Sequence, residues 1–241
     1  MIRVRGHGPE LAVIAFVGLA VGTVSGIELA SARSAGVLAA LPAEELVVPR
    51  ATTAPTIDGE LDDATWSEPG GRTGPFTTGG ATAKPYSDAR VVWRDGTLYL
   101  ALYAADEDII APMTAHDGPL WTGDSFRVVF RRGEQEFAIE VSPRGVVTDG
   151  SKAPGGLFDA RWESGVRVGV DRDGTVDDPS DEDEEWIVEM AIPMNALGLT
   201  GTPGERIGLE IARCDRVRMN GGGTQKRCAS WGDARSTLVL R

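Results

Sequence analysis

Cysteine and histidine are scarce in this chain, and basic residues are outnumbered. Only two Cys and two His occur among 241 residues. The histidines lie too far from the cysteine pair to complete a four-ligand structural zinc site. One histidine, His7, lies in the N-terminal segment, which leaves His116 for the rest of the chain. A Ser-His-Asp arrangement would have to use His116 with Ser125 or another serine, and no nucleophile-elbow motif is present. Acids are plentiful, so counting alone leaves room for the paired carboxylates of glycoside hydrolysis. None of them sits in an apolar context expected to raise its pKa, and catalysis is not expected. Lys and Arg number 24 against 36 Asp and Glu, a net charge of -12. Such a chain is a poor partner for phosphate backbones, which need a basic surface. Long helical periodicity and internal repeats are also missing.

The N-terminus differs from the remainder. Basic Met1-Ile2-Arg3-Val4-Arg5 precedes an uncharged apolar run, Leu11 to Gly26. That order matches a signal peptide, with small residues at Ala30-Ser31-Ala32 and Ala39-Ala40 for cleavage. The rival is an uncleaved anchor, the only route by which this chain would touch a membrane. The run is short for a bilayer span of about 20 residues. The expected organisation is a leader or anchor over 1–32, a linker over 33–45 and one domain over 46–241. Export to the periplasm, outer envelope or medium follows. In that setting the pair Cys214 and Cys228 reads as a disulfide closing one long loop around Gly221-Gly222-Gly223, with two reduced thiols as the alternative.

The domain reads as β-structure. Two β-rich runs, Asp88 to Arg94 and Thr97 to Tyr103, flank Asp95-Gly96, a two-residue hairpin turn. Further runs alternate with period two: Phe126, Val128 and Phe130; Phe137, Ile139 and Val141; Val166, Val168 and Val170; Trp186, Val188 and Met190; Ile207, Leu209 and Ile211; Leu238 and Leu240. Pro193 to Gly198 is expected to be one short helix. Asp62 is expected to cap a helical turn carrying Trp66, read as a core plug. Eight to ten short strands imply an all-β fold, a sandwich of two antiparallel sheets of jelly-roll or immunoglobulin-like type. The acidic stretch Asp171 to Glu185 holds nine acids and one Arg. Its spacing departs from an EF-hand loop, so a solvated loop is the better reading and structural calcium the alternative.

Two turns carry a tryptophan beside an aspartate: Trp121-Thr122-Gly123-Asp124 and Trp231-Gly232-Asp233. A sugar ring offers an apolar face of C–H groups and a rim of hydroxyls. Binding it takes aromatic planes for the first and planar polar side chains for the second. Trp121 and Trp231 suit the first role, and Asp124, Arg213, Asp215 and Asn220 the second. Ordinary packing at a sheet edge is the bland alternative for either ring.

The order of these signals resembles the family 9 carbohydrate-binding modules, a branch of the DOMON-like β-sandwiches. Pro55-Thr56-Ile57-Asp58-Gly59-Glu60-Leu61-Asp62 is similar to the family's opening. Trp121-Thr122-Gly123-Asp124-Ser125-Phe126-Arg127 resembles its W-x-x-D-S-V-E motif, Phe137 to Gly145 its F-x-x-x-V-N-P-x-G segment, and Trp186-Ile187-Val188-Glu189 to Pro193 its W-x-x-E-x-x-I-P strand. Arg213 and Ser230-Trp231 match its last landmarks. The resemblance implies a non-catalytic module without a cofactor, in which two Trp side chains clamp a terminal sugar. Trp121 matches the first, Trp231 the second. The implied partners are mono- or oligosaccharides and polysaccharide ends. Structural calcium is a family feature without transferable ligand positions. Arg127 stands where the family has an acid, which points to a different glycan or to a structural envelope module without sugar affinity. Met113 and His116 are too close in sequence for the Met/His haem ligation of some DOMON domains.

Overall fold

The Asp95-Gly96 turn forms as the sequence dictates. Both residues have positive φ, 47° and 77°, which matches the twist of the strands they join. They connect β4 (Ser87–Arg94) to β5 (Thr97–Ala105). The computed structural model describes residues 43–241; the expected leader and all but the end of the linker lie outside them. Among the described residues no helix is long and apolar enough to cross a membrane.

Among the described residues fourteen strands build two sheets. The smaller has four, with β5 central between β4 and β11 (Glu185–Pro193), and β10 (Arg167–Asp173) outside β11. The larger has ten. Its path runs β3 (Ala81–Thr82), β2 (Thr77–Thr78), β13 (Thr224–Trp231), β12 (Arg206–Arg218), β6 (Ser125–Arg132), β7 (Gln135–Val141), β8 (Val147–Lys152) and β9 (Phe158–Asp159). β14 (Thr237–Leu240) also pairs with β12, and β1 (Glu45–Val48) lies parallel to β14. All other pairings of named strands are antiparallel, and the arrangement is the expected sandwich.

Period-two alternation delivers one face of each sheet to the interior. Phe126, Val128, Phe130, Ile139, Ile207, Leu209 and Ile211 meet Val91, Leu98, Leu100, Leu102, Trp186, Val188 and Met190. Trp66 is 2% exposed and a core residue, as expected, but not of this core. It belongs to a second cluster, with Ala51, Val92, Tyr99, Ala101 and Ala191. The segment from Ala51 to Arg72 thus covers the outer face of the smaller sheet, so β11 is buried on both faces. Asp62 does not cap the Trp66 turn. Asp63 occupies that position, and its carboxylate accepts the Thr56 N–H instead. Pro193 to Gly198 is a 3-10 turn, Met194–Leu197, closed by Gly198 in the left-handed region; similar turns occur at Ala64–Ser67 and Leu120–Thr122.

The Cys214–Cys228 disulfide forms, and the loop it closes is a β-hairpin. The two cysteines are register partners in β12 and β13, and pairing continues beyond them to Arg218 and Thr224. β12 pairs with β6 only as far as Cys214. The bridge therefore sits where a two-stranded ribbon leaves the sheet and loses its third strand. Isolated ribbons of this kind are marginal in water. Replacing both cysteines by serine is expected to cost about 3 kcal/mol, the chain-entropy value for a loop of this size, given a sequence separation of 14. Urea denaturation of the double variant beside the parent measures it.

Candidate functional site

The Trp121 turn is held from both sides. Leu120 points inward at 1% exposure, while Trp121 is 57% exposed. Gly123 has no room for a side chain, since a Cβ would lie 2.5 Å from the Ile110 carbonyl oxygen. Asp124 is fully buried and accepts the N–H of Ile110 and of Arg216, each at 2.6 Å. The Arg216 guanidinium donates in turn to the Trp121 carbonyl. A large aromatic plane is thereby presented to solvent on a fixed backbone, with little ordering left to a ligand.

Trp121 borders a cleft of about 200 Å³ on the outer face of the larger sheet, with Arg127, Ala138, Glu140, Thr148 and Phe158. Strand parity explains this set. Phe126 and Val128 face the core, so Arg127 faces out, and its register partner on β7 is Glu140. Glu140 in turn pairs with Thr148 on β8. Arg127 Nη1 lies 3.8 Å from Glu140 Oε2, and Ser125 donates to Glu140 Oε1 at 2.7 Å. The Thr148 hydroxyl donates to the Gly118 carbonyl at 2.7 Å. Ala138 is a small floor residue. Phe158 packs against Gly150, where a Cβ would meet its ring at 2.3 Å. The cleft thus offers two aromatic side chains, a guanidinium with free donors and a carboxylate.

Of the residues singled out in the sequence, only Trp121 and Arg127 reach this cleft. Trp231 is 8% exposed and belongs to the main core. It shares the inward face of its register partner Ile211, opposite to the face bearing the cleft, so the two indoles form no clamp. Asp124, Arg213 and Asp215 are buried and serve the fold. Asn220 is exposed in the turn joining β12 to β13. Phe158, Glu140 and Thr148 escaped sequence reasoning. The one local signal was Leu157-Phe158, two apolar residues directly after Gly155-Gly156; Leu157 is 91% exposed.

Beneath the Trp121 turn lies a buried acidic cluster. Oxygens of Asp106, Asp124 and Asp215 come within 4.8 Å of one another. Arg213 donates to Asp106 at 2.8 Å, and Trp186 Nε1 donates to the same oxygen at 3.0 Å. Asp215 Oδ2 is buried with no hydrogen-bond donor. Burial, reinforced by the Asp106 charge, pushes the Asp124 carboxyl up to about 8. Burial also raises Asp215, against the pull of Arg213. The expectation that no acid sits in a pKa-raising environment is therefore corrected. The acidic stretch is not simply a solvated loop either. Asp183, Asp124 and Asp177 accept three successive N–H groups, those of Ile109, Ile110 and Ala111. This irregular segment after β5 has no ladder partner for those donors, and buried donors must be paired.

Solved structures share the fold. A putative carbohydrate-binding protein from Bacteroides uniformis superposes with a TM-score of 0.63 at 16% identity, covering 83% of this chain and all of that one. A family 9 carbohydrate-binding module from Caldicellulosiruptor kristjanssonii, solved with cellotriose, gives a TM-score of 0.57 at 13% identity, over 82% of this chain and 94% of that one. A family 9 module from the same organism with glucose gives 0.52 at 15% identity, over 82% and 96%. No curated protein matches the chain in sequence. The family model described as "Carbohydrate family 9 binding domain-like" matches residues 57–237, three quarters of the chain and nearly all of the sandwich. On that match the chain belongs to the carbohydrate family 9 binding domain-like family of non-catalytic modules.

Proposed function

We propose that this module binds the end of a saccharide in the cleft between Trp121 and Phe158, as part of an exported protein. The observation that carries the reading is the cleft itself: two exposed aromatic side chains flank Arg127 and Glu140 on a sheet face. The indole and phenyl planes suit the C–H face of a sugar. Arg127 supplies donors and Glu140 acceptors, so both halves of a hydroxyl's hydrogen bonding are met. The cleft is smaller than the ~300–1,000 Å³ typical of drug-sized pockets, which favours one terminal residue with the remaining chain in solvent. Arg127 replaces the family's acid, but Glu140 places a carboxylate directly across the strand pair. The Bacteroides protein supports a carbohydrate partner, and the Caldicellulosiruptor modules one of the cellotriose or glucose kind. Trp231, Asp124, Arg213 and Asp215 contribute indirectly, by holding the sandwich and the Trp121 turn. A disulfide suits an oxidising compartment. Structural calcium, in this reading, takes the Asp106–Asp124–Asp215 oxygens, a hard-donor set in which Asp215 Oδ2 accepts no hydrogen bond and faces Arg227 at 3.6 Å.

The test is calorimetric titration of the protein with glucose, cello-oligosaccharides and a panel of other glycans. Trp121→Ala is expected to cost about 2 kcal/mol, roughly thirtyfold in affinity, as for a central aromatic anchor. Phe158→Ala should cost less, and Trp231→Phe should leave affinity near parent. Saturable binding that survives the Trp121→Ala/Phe158→Ala double variant would place the ligand elsewhere. Absence of binding across the panel would favour an accessory envelope module.

A further inference from the structure

A second cavity, of about 320 Å³, opens at the margin of the larger sheet beside Thr114, His116, Val147, Asp149, Glu163 and Ser164. It lies apart from the cleft described above and shares no lining residue with it. Asp149 is its unusual member. On β8 it is the register partner of Ile139, an inward position where the neighbouring strands carry apolar residues. Its side chain is 2% exposed. Oδ2 accepts the Ser164 N–H at 2.7 Å, but Oδ1 is buried with no partner at all. A buried, unpaired carboxylate oxygen is costly unless a cation meets it.

Two further donors converge on it. One atom each of His116, Asp149 and Glu163 lies within 4.8 Å of the others. His116 Nε2 is 3.5 Å from Glu163 Oε2 and 3.6 Å from Asp117 Oδ2. His116 and Glu163 are more than half exposed and can adjust to an ion, whereas Asp149 is fixed. We propose that His116, Asp149 and Glu163 form a site for a divalent transition metal of the zinc class, with water completing the coordination. One imidazole and two carboxylates are the ligand set such ions accept with open positions. Calcium and magnesium prefer all-oxygen sets with more ligands, so they are excluded as the preferred ions. The two carboxylates carry the charge that balances a divalent ion. Bound metal would tie the loop before the Trp121 turn to β8 and to the segment after Phe158, three parts of the chain that otherwise meet at an open edge.

The experiment uses the full chain, stripped with a chelator and titrated calorimetrically with Zn²⁺, with Co²⁺ absorption as a second readout. One site per chain is expected, with visible Co²⁺ bands and a rise in melting temperature on Zn²⁺ addition. His116→Ala and Glu163→Gln alter exposed side chains and should keep the fold. Each is expected to lose at least tenfold in Zn²⁺ affinity, the scale of losing a contact of a bound metal. Asp149→Asn should abolish the Co²⁺ bands if it folds, and the two exposed variants decide the matter without it. The proposal is overturned by a titration with no saturable Zn²⁺ binding, by affinity unchanged in His116→Ala and Glu163→Gln, or by Ca²⁺ binding at this site more tightly than Zn²⁺. Binding at the Asp106–Asp124–Asp215 cluster or at His7 would show itself as affinity unchanged in the two exposed variants.

Discussion

Replacing Glu189 with alanine is expected to remove on the order of 4 kcal/mol of folding stability, the scale for breaking a buried charged network. Glu189 is fully buried on the outer face of the smaller sheet. It accepts three hydrogen bonds from the covering segment: Asp58 N–H at 3.0 Å, Gly59 N–H at 2.9 Å and Trp66 Nε1 at 2.5 Å. Alanine would orphan all three donors, at roughly 1–3 kcal/mol each if none found water. The covering segment has little freedom to rearrange. A Cβ on Gly59 would lie 2.2 Å from the Asp171 nitrogen, and one on Gly169 would lie 2.6 Å from the Asp58 nitrogen. Backbone therefore lies directly on backbone at this point. Gly59 also has a φ of 99°, a conformation that a side chain would strain. Glutamine at 189 keeps one oxygen for two of the donors and turns an NH₂ toward the third, so a smaller loss of about 1–2 kcal/mol is expected. Chemical denaturation of both variants checks the order. An alanine variant within about 1 kcal/mol of parent would mean that water replaces the carboxylate.

Glu189 also shows how far the sequence could be read. Its place in Trp186-Ile187-Val188-Glu189 was legible as part of a family motif, and so was the strand. That the carboxylate holds down a distant N-terminal segment was not, because 131 positions separate it from Asp58. Local chemistry was the readable part. Asp95-Gly96 announced its hairpin, because two left-handed residues between β-rich runs have few other uses. Alternation identified the strands that meet the main core. Trp121 stood out beside Gly123 and Asp124, and it is indeed exposed. Trp231 lay in an equally suggestive turn, but β13 brings it in register with Ile211 and hence inward. The face of a residue at a strand end depends on register with a strand elsewhere in the chain, and one-residue slips reverse it. Phe158 shares that limitation: a two-residue strand paired at the sheet edge turns an apolar loop residue into a wall of the cleft. Glu140 likewise gained meaning only through its cross-strand position opposite Arg127.

Stability is expected to be greatest on the acid side of neutrality and to fall as the pH rises from about 4 to about 8, a window that starts at the unfolded Asp value. The folded Asp124 carboxyl is raised to about 8 because it is buried beside Asp106. Between those limits the folded chain holds a proton that the unfolded chain has released. Folding then takes up protons, and raising the pH opposes it. Above about pH 8 the loss is complete, since Asp124 is ionised in both states. Burial raises Asp215 and Glu189 too, so they act in the same direction. Asp159, Asp178, Asp233 and Glu205 shift the other way, lowered by hydrogen bonds to their carboxylates. Their stabilisation is present above the unfolded pKa and is lost as pH falls through the folded one, so they act below about pH 4. All four are solvent-exposed or nearly so, and their effect is small. The two trends place the maximum near pH 4–5. Melting temperatures recorded from pH 3 to pH 9 in chelator check this, and a steady rise from pH 4 to pH 8 would contradict it. Added Ca²⁺ separates the two roles of the acidic cluster. A cation on Asp106, Asp124 and Asp215 favours their ionised forms, so it should raise the melting temperature at pH 8 far more than at pH 5 and flatten the slope. If Ca²⁺ leaves the pH profile unchanged, Arg213 and Arg227 are the cluster's counter-ions and a proton on Asp124 supplies the rest.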